Sequence, residues 1–376
     1  MANVTVFDPK YDSVRSVEWD FQTKKDSNIN IHPYPARFIN EIPRELIRLL
    51  KCPSDCCVVD PFCGSGTTLV EAQKAGIDSL GIDLNPIACL ISRTSTSHLP
   101  QKSILLAKTI CENARAKYNS EIEIPCIPNL DHWFKKDIQK AISLLLNEIN
   151  EIENNELSDF LRVSLSSIIV RVSNQESDTR YASVDKNYSY EDVFDGFISA
   201  CEKTFNYLKG NTGYADVKVI QANILDVEPQ RIDKPVGLVI TSPPYPNAYE
   251  YWLYHKYRMW WLGYNPVQVR ELEIGARPNY HKKNGQTIED FKKQMFNVFT
   301  LISEKLIVGG HICFVIGRSI IKGEVIDNSK IITEIANAHN LRLVVDIERQ
   351  IAANRKSFNL KYGKIKTEHI LIFRKD

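Results

Sequence analysis

The chain has 376 residues, 43% hydrophobic and 25% charged, with a formal net charge of +1. That length allows one large domain or two ordinary ones with a sizeable core, and the charge gives no global basic field, leaving any phosphate contact to local patches. No apolar run approaches the roughly 18 residues a bilayer span needs, and Met1 to Asp8 lacks the pattern of a secretory signal, so a cytoplasmic protein without membrane contact is expected.

Residues 1–30 read as a polar arm. Ile31-His-Pro-Tyr-Pro-Ala-Arg-Phe38 follows, two X-Pro steps that favour extended backbone, and leads into a helix over Pro43 to Leu50. His32, Tyr34, Arg37 and Phe38 either pack a loop on the core or form one wall of a ligand pocket. Cys52, Cys56 and Cys57 cluster without a second Cys/His pair at zinc-like spacing. Buried thiols flanking a strand are expected there, with no metal, and nine cysteines in so long a chain are no disulfide framework.

Cys57 to Val59 is a short strand, then comes Asp60-Pro-Phe-Cys-Gly-Ser-Gly-Thr-Thr68, then a helix over Leu69 to Ala75. Strand, glycine turn and helix form the first unit of a Rossmann-like sheet. Gly64 and Gly66 permit positive φ and close approach. A second strand, Ser79 to Asp83, ends in an acid placed for ribose hydroxyls. The turn is not G-x-G-x-x-G, and Asp60 precedes it. A carboxylate there repels a pyrophosphate and welcomes a cationic group, so the ligand wanted is a nucleoside with a positive centre. S-adenosylmethionine fits.

Helical spacing marks Leu105–Tyr118, Asp137–Ile149, Leu157–Val170 and Tyr190–Phe205. Between them the polar stretch Arg171 to Tyr181 reads either as a mobile loop for DNA or as a solvated linker. The sheet resumes at Asp216 to Asp226, where Asn223 and Asp226 are placed for the adenine of the cofactor. Val236 to Ile240 is a buried strand stopped by Thr241-Ser-Pro-Pro-Tyr245. Its two prolines remove backbone donors and leave carbonyls, a hydroxyl and a ring at a strand's carboxyl end. An aromatic helix over Tyr249 to Trp261 follows, and Tyr249, Tyr251 and Tyr254 either line a base pocket or pack the core.

Gly275 to Gly285 is a basic loop, either a DNA clamp through Arg277, Lys282 and Lys283 or a solvated surface. A helix over Ile288 to Phe299 comes next, then a strand over Leu306 to Ile316 whose Gly309-Gly310 turn leads in from the helix. The chain closes with a helix over Ile331 to His339 and an antiparallel pair, Leu343–Ile347 and His369–Phe373. The stretch they bracket, Arg349 to Lys366, is basic, and phosphate contact is expected from Arg355, Lys356 and Lys361.

Asp60-Pro-Phe-Cys-Gly-Ser-Gly-Thr-Thr68, Gly81-Ile-Asp-Leu-Asn-Pro86 and Ser242-Pro-Pro-Tyr245 together resemble the amino-group DNA methyltransferases, which make N4-methylcytosine or N6-methyladenine. The resemblance covers roughly residues 31–95 and 217–375. It implies an α/β Rossmann-like methyltransferase sheet, mostly parallel with an antiparallel C-terminal strand. The organisation expected is 1–95 for the arm and first half, 96–215 for a helical insertion that contacts DNA or selects the target, and 216–376 for the second half and closing hairpin.

The resemblance further implies S-adenosylmethionine held by Phe62, Gly64, Gly66 and Asp83, with Thr67 and Thr68 in the same motif. Residues 32–38, including His32 and Tyr34, would contact its methionine part. Ser242, Pro243, Pro244 and Tyr245 are the expected catalytic set. An exocyclic amine is a poor nucleophile, so its protons must be held, by Ser242 Oγ and the Pro243 carbonyl. Tyr245 would stack on the base, worth roughly 1–3 kcal/mol, after the base flips out of the duplex.

Ser-Pro-Pro-Tyr is the usual form in the cytosine-N4 enzymes and Asp-Pro-Pro-Tyr in the adenine-N6 ones, which favours cytosine. The implied partners are double-stranded DNA and, in restriction-modification, a cognate endonuclease, within a prokaryotic cytoplasm near the nucleoid. An adenine-N6 enzyme, an RNA amino-group methyltransferase, a protein-amide methyltransferase and a silent DNA-recognition subunit stay as alternatives.

Overall fold

The computed structural model describes residues 8–21, 30–211, 213–246, 250–277, 280, 285–351 and 367–376. Eleven strands are present among them: β1 (Cys57–Asp60), β2 (Ser79–Asp83), β3 (Gln175–Ser177), β4 (Arg180–Ser183), β5 (Val217–Gln221), β6 (Val236–Thr241), β7 (Leu306–Gly317), β8 (Ser319–Ile321), β9 (Glu324–Ile326), β10 (Leu341–Gln350) and β11 (Thr367–Lys375). Seven form one sheet in the order β10-β11-β7-β6-β1-β2-β5. The pairs β1·β2, β1·β6, β2·β5 and β6·β7 are parallel. Only β11 runs against its neighbours, pairing antiparallel with both β7 and β10.

The period-two alternation of a strand explains the layers. Val58, Leu238, Cys313 and Ile370 point to one face, where they meet Tyr11, Trp19 and the helix Glu41–Leu50. Val59, Val239, Ile312 and Leu371 point to the other, onto the helices Ile288–Lys305 and Asn328–Ala338. All eight are buried, and each such side chain contributes about 1.5–3 kcal/mol of transfer free energy.

Between β2 and β5 the chain leaves the sheet. Helices Ser103–Ala116, Lys136–Asn150, Asn155–Val172 and Tyr190–Lys209 form a bundle, and Ser189 with Asp192 makes a capping box at the start of the last. The bundle is not a free appendage. It shares one buried cluster with helix Pro86–Ser95 and with Tyr257, Met259 and Trp261 of helix Tyr251–Trp261.

Three local expectations are corrected. The polar stretch 171–181 is not a loop: it holds the β3–β4 hairpin. Gln175 is fully buried with its amide on Ser177 O, Tyr181 donates to Leu253 O, and Asp178 pairs with buried Arg258. Those partners outweigh the solvation that polar composition suggests. Gly309 and Gly310 do not turn the chain into the strand: β7 runs through them as one strand. Gly309 there has φ +83, and the register against β6 jumps from Val236↔Leu306 to Leu238↔His311. Helix Tyr251–Trp261 begins two residues later than expected, and Tyr249 lies outside the described residues.

Candidate active site

The sheet reverses direction of growth between β1 and β6, and their carboxyl ends lie side by side. Such a switch point is where open α/β sheets bind ligands. Asp60 ends β1, and its Oδ1 accepts the Phe62 N–H at 3.1 Å and the Thr241 hydroxyl at 2.6 Å. The residue before Ser242 is thus pinned to the loop that follows β1. Asp83 ends β2: Oδ2 accepts the Gly64 N–H at 2.9 Å and Oδ1 the Asn85 N–H at 2.8 Å. Burial pushes the Asp60 and Asp83 carboxyls up to about 6, against hydrogen bonds that pull them down.

The glycines of the loop have separate jobs. Gly64 has φ +50, and a Cβ there would sit 3.1 Å from the Tyr34 hydroxyl, so that position keeps the loop open beside an aromatic wall. Gly66 has φ +79, and its Cβ would meet Ser92 Oγ at 2.8 Å. It serves packing of the loop on helix Pro86–Ser95, whose Ser92 hydroxyl donates to Gly64 O at 2.8 Å.

These strand ends open into one cleft, at the place where open α/β sheets take small-molecule ligands. Of the residues expected at a cofactor or target base, Tyr34, Asp60, Phe62, Gly64, Thr67, Asp83, Asn223, Ser242 and Pro244 line it. Six others stand back from its wall. His32 is buried behind it, its ring bonded to Pro33 O and Ser166 Oγ. Gly66 faces Ser92. Thr68 is fully buried with its hydroxyl on Ile240 O, an interior position rather than a cofactor contact. Asp226 supports Asn223, whose amide donates to it at 3.0 Å. Pro243 is buried. Tyr245 is half-buried, packed against the core beneath the sheet and off the cleft wall.

Arg277 is partly buried at the end of the described segment. Lys282, Lys283, Arg355, Lys356 and Lys361 lie outside the described residues.

On the opposite wall stands Tyr251, at the start of helix Tyr251–Trp261, which the sequence offered either as pocket lining or as core; its companions Val269 and Leu272 to Ile274, at the end of helix Pro266–Leu272, were not singled out. Tyr251 stacks on Tyr34 with ring centroids 5.8 Å apart and planes at 28°. Glu273 accepts the Tyr251 and Trp252 N–H groups at 2.8 and 3.0 Å, and burial pushes its carboxyl up to about 8. Gly275 has φ +76, and a Cβ there would lie 2.6 Å from Tyr245 O, so this wall packs directly on the Ser-Pro-Pro-Tyr turn. The signal available in sequence was that glycine, one residue past a helix-and-acid run.

Among the described residues lining the cleft are three carboxylates, Asp60, Asp83 and Glu273, and no lysine, arginine or histidine. Acceptors beside stacked tyrosines suit a ligand with hydroxyls and a positive centre, so S-adenosylmethionine fits the residues present.

Sheet order and cleft together define a Rossmann-like methyltransferase fold, with its one antiparallel strand, β11, between β7 and β10. Residues 8–93 match the family model described as DNA methylase. The type II methyltransferase M.MvaI of Kocuria varians is 26% identical over 247 residues, covering 60% of this chain and 54% of that protein. M.BsoBI of Geobacillus stearothermophilus is 25% identical over 297 residues, covering 67% and 56%. M.MjaII of Methanocaldococcus jannaschii is 44% identical over 62 residues, 16% of this chain and 12% of that protein. The longer of these alignments thus span little more than half of each relative. The family model and the relatives support the amino-methyltransferase family for this chain, and with it S-adenosylmethionine as the cofactor.

Proposed function

We propose that the protein is a DNA methyltransferase that moves a methyl group from S-adenosylmethionine to the exocyclic N4 of cytosine within a specific sequence. The observation that carries the reading is the shared cleft: Gly64 and Ser65 of the glycine loop, Asp83 and Ser242 line one cavity, and Asp60 holds Thr241 at 2.6 Å. The type II methyltransferases among its relatives favour DNA as substrate and restriction-modification as setting.

When bound, S-adenosylmethionine supplies an electrophilic methyl group on a sulfonium. The chain's own residues do the rest. Asp83 accepts ribose hydroxyls while its backbone bonds hold the loop. Asn223, steadied by Asp226, borders the nucleoside side. Ser242 Oγ accepts one amine proton, and the Pro243 carbonyl accepts the other if the turn opens toward the base. Holding both protons lets the nitrogen lone pair leave conjugation and face the methyl group. The flipped base then needs an aromatic surface, and Tyr251 offers one on the cleft wall.

The leading serine of Ser242-Pro-Pro-Tyr245 favours cytosine over adenine. Adenine N6 is the second reading, since either amine presents the same two protons. Purified protein incubated with duplex DNA and methyl-labelled cofactor, followed by hydrolysis to nucleosides, is expected to put the label on N4-methyl-2′-deoxycytidine. Label confined to adenine assigns the second reading instead, and label on tRNA but not on DNA rejects both.

A further inference from the structure

We infer that Glu273 determines specificity within the cofactor cleft, reading the positive sulfur of S-adenosylmethionine so that the charged donor is held in preference to neutral-sulfur S-adenosylhomocysteine. This deepens the cofactor reading and rests on it. The placement is unusual for an acid. Glu273 is only 8% exposed yet lines the cleft. Each carboxylate oxygen takes one backbone N–H, from Tyr251 and from Trp252. A carboxylate has about four acceptor sites, so half its capacity is left over at a wall facing the ligand.

Its surroundings are negative or neutral. Asp83 and Glu250 are the charged groups that act on it, and Tyr34, itself within its field, stacks on Tyr251. Burial among them pushes its carboxyl up to about 8. With no cationic side chain on the described cleft wall, the ionised form of this carboxyl is uncompensated until a cation arrives, so taking up a cation and losing the proton go together. The faces of Tyr34 and Tyr251 attract the same kind of group. Methyl transfer removes that charge from the ligand, so the pull of this wall ends with the reaction, and the product is released more readily than the donor.

The bland alternative is that Glu273 merely caps helix Tyr251–Trp261, a favourable place for an acid. The two readings separate in Glu273→Gln, which keeps a side-chain carbonyl for one of the two N–H groups. Calorimetric titration of the full chain with each ligand is expected to show S-adenosylmethionine affinity down about tenfold, with S-adenosylhomocysteine held within about twofold. Retained product binding also shows that the cleft is folded.

A second readout uses protons. Asp60 and Asp83, at about 6, are already ionised at pH 8, whereas Glu273 is not fully so. Titrations at pH 8 in buffers of different ionisation enthalpy are expected to show up to about half a proton released as the wild type takes the donor. The variant should lose that release, and the product should never evoke it. Equal weakening of both ligands, or an unchanged donor affinity, overturns the inference and leaves a helix cap. Failure of the wild type to bind either ligand overturns the cofactor reading itself.

Discussion

Replacing Gly275 with alanine tests whether the wall behind Glu273 positions the Ser-Pro-Pro-Tyr turn. Two costs follow from the structure. At φ +76 an L side chain is strained, worth roughly 1–2 kcal/mol. The new Cβ would also lie 2.6 Å from Tyr245 O. That atom is backbone, so relief requires moving the turn, and overpacking of this kind costs about 1–3 kcal/mol more.

Gly263→Ala is the matched control: its φ is +82, with nothing within 4 Å of the added carbon. Chemical denaturation of both variants should show Gly263→Ala losing about 1 kcal/mol and Gly275→Ala two to three times as much. Methyl transfer should be near normal in the first. In the second it should fall about a hundredfold, because catalytic geometry tolerates little displacement. Equal stability losses with equal activities would refute the idea that this glycine exists for the turn.

Other expectations follow from the same contacts. Thr241→Val removes the 2.6 Å donor to buried Asp60 and should cost about 1–3 kcal/mol by urea denaturation, with a larger loss at neutral pH than at pH 5, where the carboxyl is mostly protonated. The sign of the pH dependence is definite. Asp60 and Asp83 sit at about 6, above their usual 3.8, so the native state binds more protons than the unfolded chain between those values. Stability contributed by these two acids is therefore full below pH 4 and falls as pH rises to 6. Thermal-shift curves of Asp83→Asn should be flatter across that window than those of the wild type. Arg258→Ala deletes a fully buried guanidinium that bonds Ser166 O, Tyr254 O and Asp178. It should destabilise by about 3 kcal/mol and loosen the β3–β4 hairpin, seen as faster amide exchange at residues 175–183.

Much of the sheet was legible because strands buried on both faces read as apolar runs ending at turn residues. Val236 to Ile240 before two prolines and Ser79 to Asp83 after Gly76 are of that kind. The helices of the insertion were legible from their spacing, though the first ends two residues before its expected Tyr118 and the other three run past their expected ends. What failed was local chemistry overridden by distant partners. Gln175, Asp178 and Tyr181 are polar and suggest a loop, but their partners lie on a hairpin turn and on a helix some eighty residues away. Gly309 and Gly310 suggest a turn, yet they lie within β7 where its register against β6 shifts, between Leu306 and His311.

At the site, the residues tied to a strand end all line the cleft: Asp60, Asp83, Asn223 and Ser242. Those expected only from lying within a motif divided according to which way the side chain points. Thr67 reaches the cleft while Thr68, one position on, turns about 100° around its helix into the core. Glu273 was invisible for a different reason. Nothing in its neighbours distinguishes it from exposed Glu271, because burial comes from helix Tyr251–Trp261 closing over it.

The central claim is that one cleft brings the methyl donor to a DNA amino group. Sequencing the genome of a host free of modification, after expressing the wild type or Asp83→Ala, tests it most directly. The account predicts N4-methylcytosine at one recurring short sequence with the wild type and none with the variant. Unmodified DNA from the wild type, or the same modification from Asp83→Ala, would contradict it.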